Sequence, residues 1–144
     1  MAAVPVFGTR AAGVSYRYRP SAYALVRNPR GDFAVARTPV ACFLPGGGID
    51  PGETPEQTVE REAREECGLV LRPLSRIGQA IEICYSIADD AHYEKDSVFI
   101  EAEVTGNVTA TESDHELLWL IADDAITALS HCSHRWAVQR LLDR

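Results

Sequence analysis

Three glutamates, Glu62, Glu65 and Glu66, fall within an arc of about 100° when residues 45–70, "PGGGIDPGETPEQTVEREAREECGLV", are set at helical spacing. That stretch carries six Glu and two Arg. Like charges a turn apart destabilise a helix by a few tenths of a kcal/mol per pair, so the cluster calls for a positive partner. Carboxylate oxygens suit a hard cation: Mg²⁺ takes carboxylates, waters and substrate phosphates, and Mn²⁺ accepts the same set. The glycine run ahead of the cluster lets backbone N–H and C=O groups come close to a ligand. Carboxylates beside an open glycine loop point to a metal site that serves a phosphate substrate. A merely solvated acidic face would show interleaved Lys, and this one has none.

A helix must position these groups, and its ends are written locally. Thr54 is the N-cap, Pro55 suits the first helical position, and Gln57 completes a capping box with Thr54. Gly68 supplies the left-handed stop. Val59, Ala63 and Cys67 form the adjacent apolar stripe, which predicts packing on a sheet.

The rest of the chain supplies that sheet. "SYRYRPSAYALVRN" and "DFAVART" read as strands joined at "PRG", able to pair as a hairpin. "ACFLP" is a short apolar run. "RIGQAIEICYSI" and "SVFIEAEV" read as strands joined by the polar loop "ADDAHYEKD", and "HELLWLI" as one more. "ADDAITALS" and "SHRWAVQRLLDR" have helical spacing. Strands, a helix, more strands and then helices make an α/β domain with a mixed sheet.

Composition bounds the function. At 144 residues and 46% hydrophobic, the chain fits one domain over residues 1–144, with residues 1–13 as an N-terminal arm. A formal net charge of −7 argues against nucleic acid or an anionic membrane as the main partner. No N-terminal apolar run is long enough for a signal peptide or a span. Cys42, Cys67, Cys84 and Cys132 are scattered without a Cys-x-x-Cys pair, which reads as a reduced, cytoplasmic setting.

The segment resembles the signature of the Nudix hydrolases, G-x5-E-x7-R-E-U-x-E-E-x-G-U, with U a bulky aliphatic. Gly47, Glu53, Arg61, Glu62, Glu65, Glu66 and Gly68 match all seven fixed identities, and Leu69 the final U. Ala63 is a soft departure at the first U. At ordinary residue frequencies, a chance match is on the order of one in a million or rarer. The resemblance implies an α/β/α sandwich with a mixed β-sheet and hydrolysis of a nucleoside diphosphate linked to some group X. It implies Glu62, Glu65 and Glu66, with the Gly46 carbonyl, as ligands of Mg²⁺ or Mn²⁺, and Glu53 and Arg61 as a brace between loop and helix. The general base in such enzymes is a box carboxylate, such as Glu62 or Glu65, or an acid from a later loop. In "TESDHELLWL" the candidates are Glu112, Asp114 and Glu116, with Glu116 and Glu112 preferred.

Residues outside the box choose X. The proline that marks many ADP-ribose hydrolases is missing from "EICYS", as are the coenzyme A and NADH signatures. Tyr85 stands where many dinucleoside polyphosphate hydrolases of this family carry a tyrosine. The compact layout resembles members acting on nucleoside triphosphates, which is the first expectation. A dinucleoside polyphosphate hydrolase and a non-catalytic nucleotide sensor are the alternatives. Small-molecule nucleotides are the expected partners, and a homodimer stays open.

Other residues read as structure. His131 and His134 flank Cys132 at zinc-like spacing, but further ligands are absent nearby, and a helix start is the better reading. Trp136, Val138, Leu141 and Leu142 read as the buried stripe of a last helix, and Trp119 as core. Tyr16 and Tyr18 belong to an edge strand or a base or dimer contact. His92, Tyr93 and Lys95 sit in the predicted loop, placed for substrate contact.

Overall fold

The computed structural model describes residues 3–144. The element order is β1 (Val6–Phe7), β2 (Arg17–Val26), β3 (Phe33–Arg37), β4 (Cys42–Phe43), β5 (Gly46–Gly48), α1 (Pro55–Cys67), β6 (Leu69–Ser86), β7 (Ala91–Asn107), β8 (Glu116–Leu120), α2 (Ala122–Ala128) and α3 (Cys132–Leu142). A five-stranded mixed sheet runs β1-β6-β7-β2-β5, and a three-stranded sheet runs β4-β3-β8. β2 pairs parallel with β7 and antiparallel with β5.

The layering follows from strand alternation. Successive residues of a strand point to opposite faces, and β2 buries both. Tyr23 and Leu25 enter a core with Phe99, Leu129, Val138 and Leu141, against α2 and α3. Ala22, Ala24 and Val26 enter a second core with Val59, Ala63 and Leu71, under α1. Helices therefore cover both faces of the sheet, which is the α/β/α sandwich. The small residues of β2 on one face let α1 sit close to the strands.

Four details differ from the sequence reading. β2 and β3 turn back on one another but share just the isolated bridge Arg27–Phe33; β3 pairs instead with β4 and β8. The buried apolar residues on both faces of each strand pull them into separate sheets. The loop between β6 and β7 shrinks to residues 87–90, and His92, Tyr93 and Lys95 lie within β7. Cross-strand pairs such as Tyr85 opposite His92, their ring centres 4.9 Å apart, carry the ladder through this stretch. Within the expected arm, Val6 and Phe7 form a strand parallel to β6; residues 1 and 2 lie outside the described ones. Leu142, expected in the buried stripe of α3, is exposed, whereas Val138 and Leu141 are buried.

Candidate active site

α1 begins and ends as its sequence dictates. The Thr54 hydroxyl accepts the Gln57 N–H at 3.1 Å and the Gln57 side chain accepts the Thr54 N–H at 2.9 Å. Gly68 closes the helix at φ 66°. Val59 and Ala63 are fully buried against the sheet, so the carboxylate face is turned toward the glycine strand and the loop after β7.

β5 is the edge of its sheet, and its three glycines each make room for something. A Cβ at Gly46 would fall 2.2 Å from the Ala22 carbonyl oxygen; one at Gly47 would touch the Glu62 carboxylate at 3.0 Å; one at Gly48 would meet the Arg19 guanidinium at 2.8 Å. The Gly46 N–H donates to Glu66 Oε1 at 3.0 Å.

The brace is in place. Arg61 Nε and Nη2 donate to the two oxygens of Glu53 at 2.7 and 3.0 Å, and Nη1 donates to Glu62 at 2.9 Å and Glu65 at 3.4 Å. Nη2 also reaches the Gly48 carbonyl at 3.3 Å. The Glu53 oxygens further accept the Asp50 N–H and the Thr58 hydroxyl. The Arg61 guanidinium above all holds the Glu53 carboxyl down at about 2. Burial, and next the charge of Glu66, push the Glu62 carboxyl up to about 7, against the pull of Arg61.

The far end of α1 captures the loop after β7. The Glu65 carbonyl, one of the free acceptors of the last turn, takes the N–H groups of Thr111 and Glu112, both at 3.0 Å; the Gly68 carbonyl takes that of Val108 at 2.8 Å. This docking carries Glu112 to the helix. Ligand atoms of Glu62, Glu65 and Glu112 lie within 4.8 Å of one another, as do those of Glu66, Glu112 and His115.

His115 is the site residue that reading the acids of "TESDHELLWL" passed over. Its Nε2 lies 3.2 Å from Glu66, and its Nδ1 lies 2.9 Å from Asp114 and 3.1 Å from Glu112. The Glu66 carboxylate raises the imidazole to about 9, against the cost of burial. Glu66 is 7% exposed, and that burial raises its carboxyl, with His115 and the Gly46 N–H opposing. A periodic pattern could place Glu66 on the helix face, but no local signal announces the histidine, which reaches the helix through tertiary docking.

Other expected residues lie elsewhere. Glu116 is on β8, paired across the strands with Arg37 and outside both carboxylate groups. Tyr85 is half-exposed near the tip of the β6–β7 hairpin, donates to Asp90 and packs on the His92 ring at 4.9 Å. The His134 ring is fully buried, and its Nδ1 accepts the Leu44 N–H at 3.2 Å. His131 is the N-cap residue of α3, and its buried Nε2 has no hydrogen-bond partner among the described residues.

The donor set fits a hard divalent cation. Three carboxylates converge, one of them is pushed toward neutrality by burial and its neighbour, and a double positive charge would relieve both.

The NUDIX domain model matches residues 17–139. The chain belongs to the Nudix family. A Mycobacterium tuberculosis protein provisionally named 8-oxo-dGTP diphosphatase 3 is 32% identical over 100 residues, 68% of this chain and 45% of that protein. A Yersinia enterocolitica RNA pyrophosphohydrolase is 44% identical over 54 residues, 36% of this chain and 31% of that protein. The matched stretches thus span less than half of these relatives. A MutT protein from Methanosarcina mazei shares the fold at a TM-score of 0.70 and 23% identity, covering 91% of this chain and 97% of that one. Among the described residues, no helix is long and apolar enough to cross a membrane.

Proposed function

We propose that this Nudix-family protein is a Mg²⁺-dependent pyrophosphohydrolase acting on a nucleoside triphosphate, releasing the monophosphate and pyrophosphate. The convergence of Glu62, Glu65 and Glu112 within 4.8 Å carries the reading. Bound there, the cation would neutralise charge developing on the phosphates and hold them for in-line attack. Mn²⁺, with similar ligand preferences, is the expected substitute.

The chain's own residues divide the work. Glu62, Glu65 and Glu66 offer the metal-facing oxygens, and Gly46 holds Glu66 in place through its N–H. Arg61 fixes the orientation of Glu62 and ties the helix to the Gly48 carbonyl through a charge-assisted network. Glu112 belongs to both carboxylate groups and is anchored by its backbone on Glu65, which supports it over Glu116 as the acceptor of the attacking water's proton. Glu116 is already engaged by Arg37. We place the whole chemistry in one domain.

The two curated relatives carry names for different substrates, 8-oxo-dGTP and RNA. That pattern fits a box that sets the reaction class while other residues choose X. The net charge of −7 favours a free nucleotide over RNA. The test is product chromatography on canonical and oxidised triphosphates, dinucleoside polyphosphates, ADP-ribose and NADH, with Mg²⁺, Mn²⁺ or EDTA. Metal-dependent monophosphate and pyrophosphate from a triphosphate support the proposal. Preference for a dinucleoside polyphosphate would replace the substrate, and nucleotide binding without turnover would make the protein a sensor.

A further inference from the structure

On the face of β5 opposite the carboxylates stand two cations without an acidic partner. Arg19 and Lys95 are register partners on the parallel strands β2 and β7. Like charges at directly opposed positions destabilise a sheet, and this chain places them together despite an excess of acids over bases. Among the described residues, neither reaches a carboxylate within ion-pair distance, although Arg10, Arg27, Arg37, Arg61, Arg72 and Arg76 all do. Glu82, opposite Lys95 on the other side, turns its Oε1 to the Ser133 N–H at 2.7 Å instead.

Aromatic rings hold the two cations in place. The Arg19 guanidinium lies 5.1 Å from the centre of the buried Tyr93 ring, and Lys95 Nζ lies 6.0 Å from it and 5.9 Å from Phe43. Contacts of this kind fix a cation over a ring face but leave its N–H donors free for an anion. The glycine strand links this face to the catalytic one. Gly47 leaves space for Glu62 on one side, and Gly48 leaves space for Arg19 on the other. Because β5 is the sheet edge and bears no side chains, an extended ligand can cross it from one face to the other.

We propose that Arg19 and Lys95 form a phosphate-binding subsite across β5 from the carboxylate cluster, which selects substrates bearing phosphates beyond those held at that cluster. The subsite rests on the nucleotide-hydrolase reading above and deepens it: triphosphates and longer chains are favoured over sugar-linked diphosphates. Steady-state kinetics of Arg19→Ala, Lys95→Met and Gly48→Ala test it, with Arg19→Lys as the conservative variant. The expected result is a rise in KM for a triphosphate of about tenfold in each, the scale of one charge-assisted hydrogen bond. In Arg19→Ala and Lys95→Met kcat stays within a few-fold and the KM for ADP-ribose does not move, and Arg19→Lys recovers part of the loss. Gly48→Ala matters because it displaces the guanidinium without removing it. Unchanged KM values, or equal rises for both substrates, would overturn the proposal. Equilibrium titration with inorganic tripolyphosphate in EDTA reads the subsite apart from turnover. Binding by the wild type that weakens about tenfold in Arg19→Ala and Lys95→Met supports it even if no nucleotide is hydrolysed. Equal binding by all of them refutes it.

Discussion

The two ends of α1 are built by different means. At the N-terminal end the capping and brace partners are close in sequence, Thr54 with Gln57, and Glu53 with Asp50, Thr58 and Arg61, and Glu56 alone reaches a distant one, Arg76 on β6. At the C-terminal end the partners come from afar. Glu66 meets Gly46 and His115, and the Glu65 carbonyl holds Thr111 and Glu112. The first end secures the helix. The second brings the reactive carboxylates together.

If that division holds, substitutions at the two ends should separate activity from stability. The largest effect is expected at Glu65. Glu65→Gln should lower kcat by on the order of 10²–10³-fold, the scale for removing one charge-stabilising group, with an unchanged circular dichroism spectrum. A variant that kept full Mg²⁺-dependent activity would sink the metal assignment.

Gly68→Ala comes next and should affect both properties. The position is left-handed, which costs an L-residue about 1–2 kcal/mol, and the new Cβ would lie 2.3 Å from the Val108 carbonyl oxygen. Because Val108 begins the loop that delivers Glu112, thermal melting and kcat should fall together. A stability loss with intact kcat would show that the loop does not depend on the helix end.

Thr54→Ala is the matched change at the other end. It removes the capping hydroxyl and should cost about 1 kcal/mol in denaturant unfolding, while kcat and the Mg²⁺ dependence stay as they are. A large drop in kcat there would erase the contrast.

The smallest effect is a pH dependence. Glu53 titrates at about 2 in the folded protein against an ordinary 4.5. Its ion pair with Arg61 therefore stabilises the fold fully above 4.5, and that contribution is lost as pH falls through about 2. The melting-temperature gap between wild type and Glu53→Gln should stay constant above pH 4.5 and narrow steadily below it. A gap that widens in acid would contradict the brace.

The same contrast explains what the sequence could tell. The capping box, the Gly68 stop, the buried stripe of Val59 and Ala63 and the convergence of three glutamates were legible because each depends on spacing within one helix. The mixed sheet was legible from the order of strands and helices, and the α/β/α layering from the family resemblance. His115 and the placement of Glu112, rather than Glu116, beside the helix carboxylates were not, since both depend on where a loop docks after the sheet has formed. β2 and β3 look like a hairpin locally, and two-sided burial separates them. The Arg19–Lys95 pair was hidden for a similar reason: their strands are far apart in sequence, and parallel register alone makes them neighbours.

The carboxylates gathered at the far end of α1 should bind a divalent cation. Calorimetric titration of Mg²⁺ into wild type and Glu65→Gln tests it most directly, at pH 8, where Glu62, pushed up to about 7, is ionised. Saturable binding by the wild type, weakened at least about tenfold in the variant, is the predicted result. Identical isotherms, or no binding by the wild type, would contradict it.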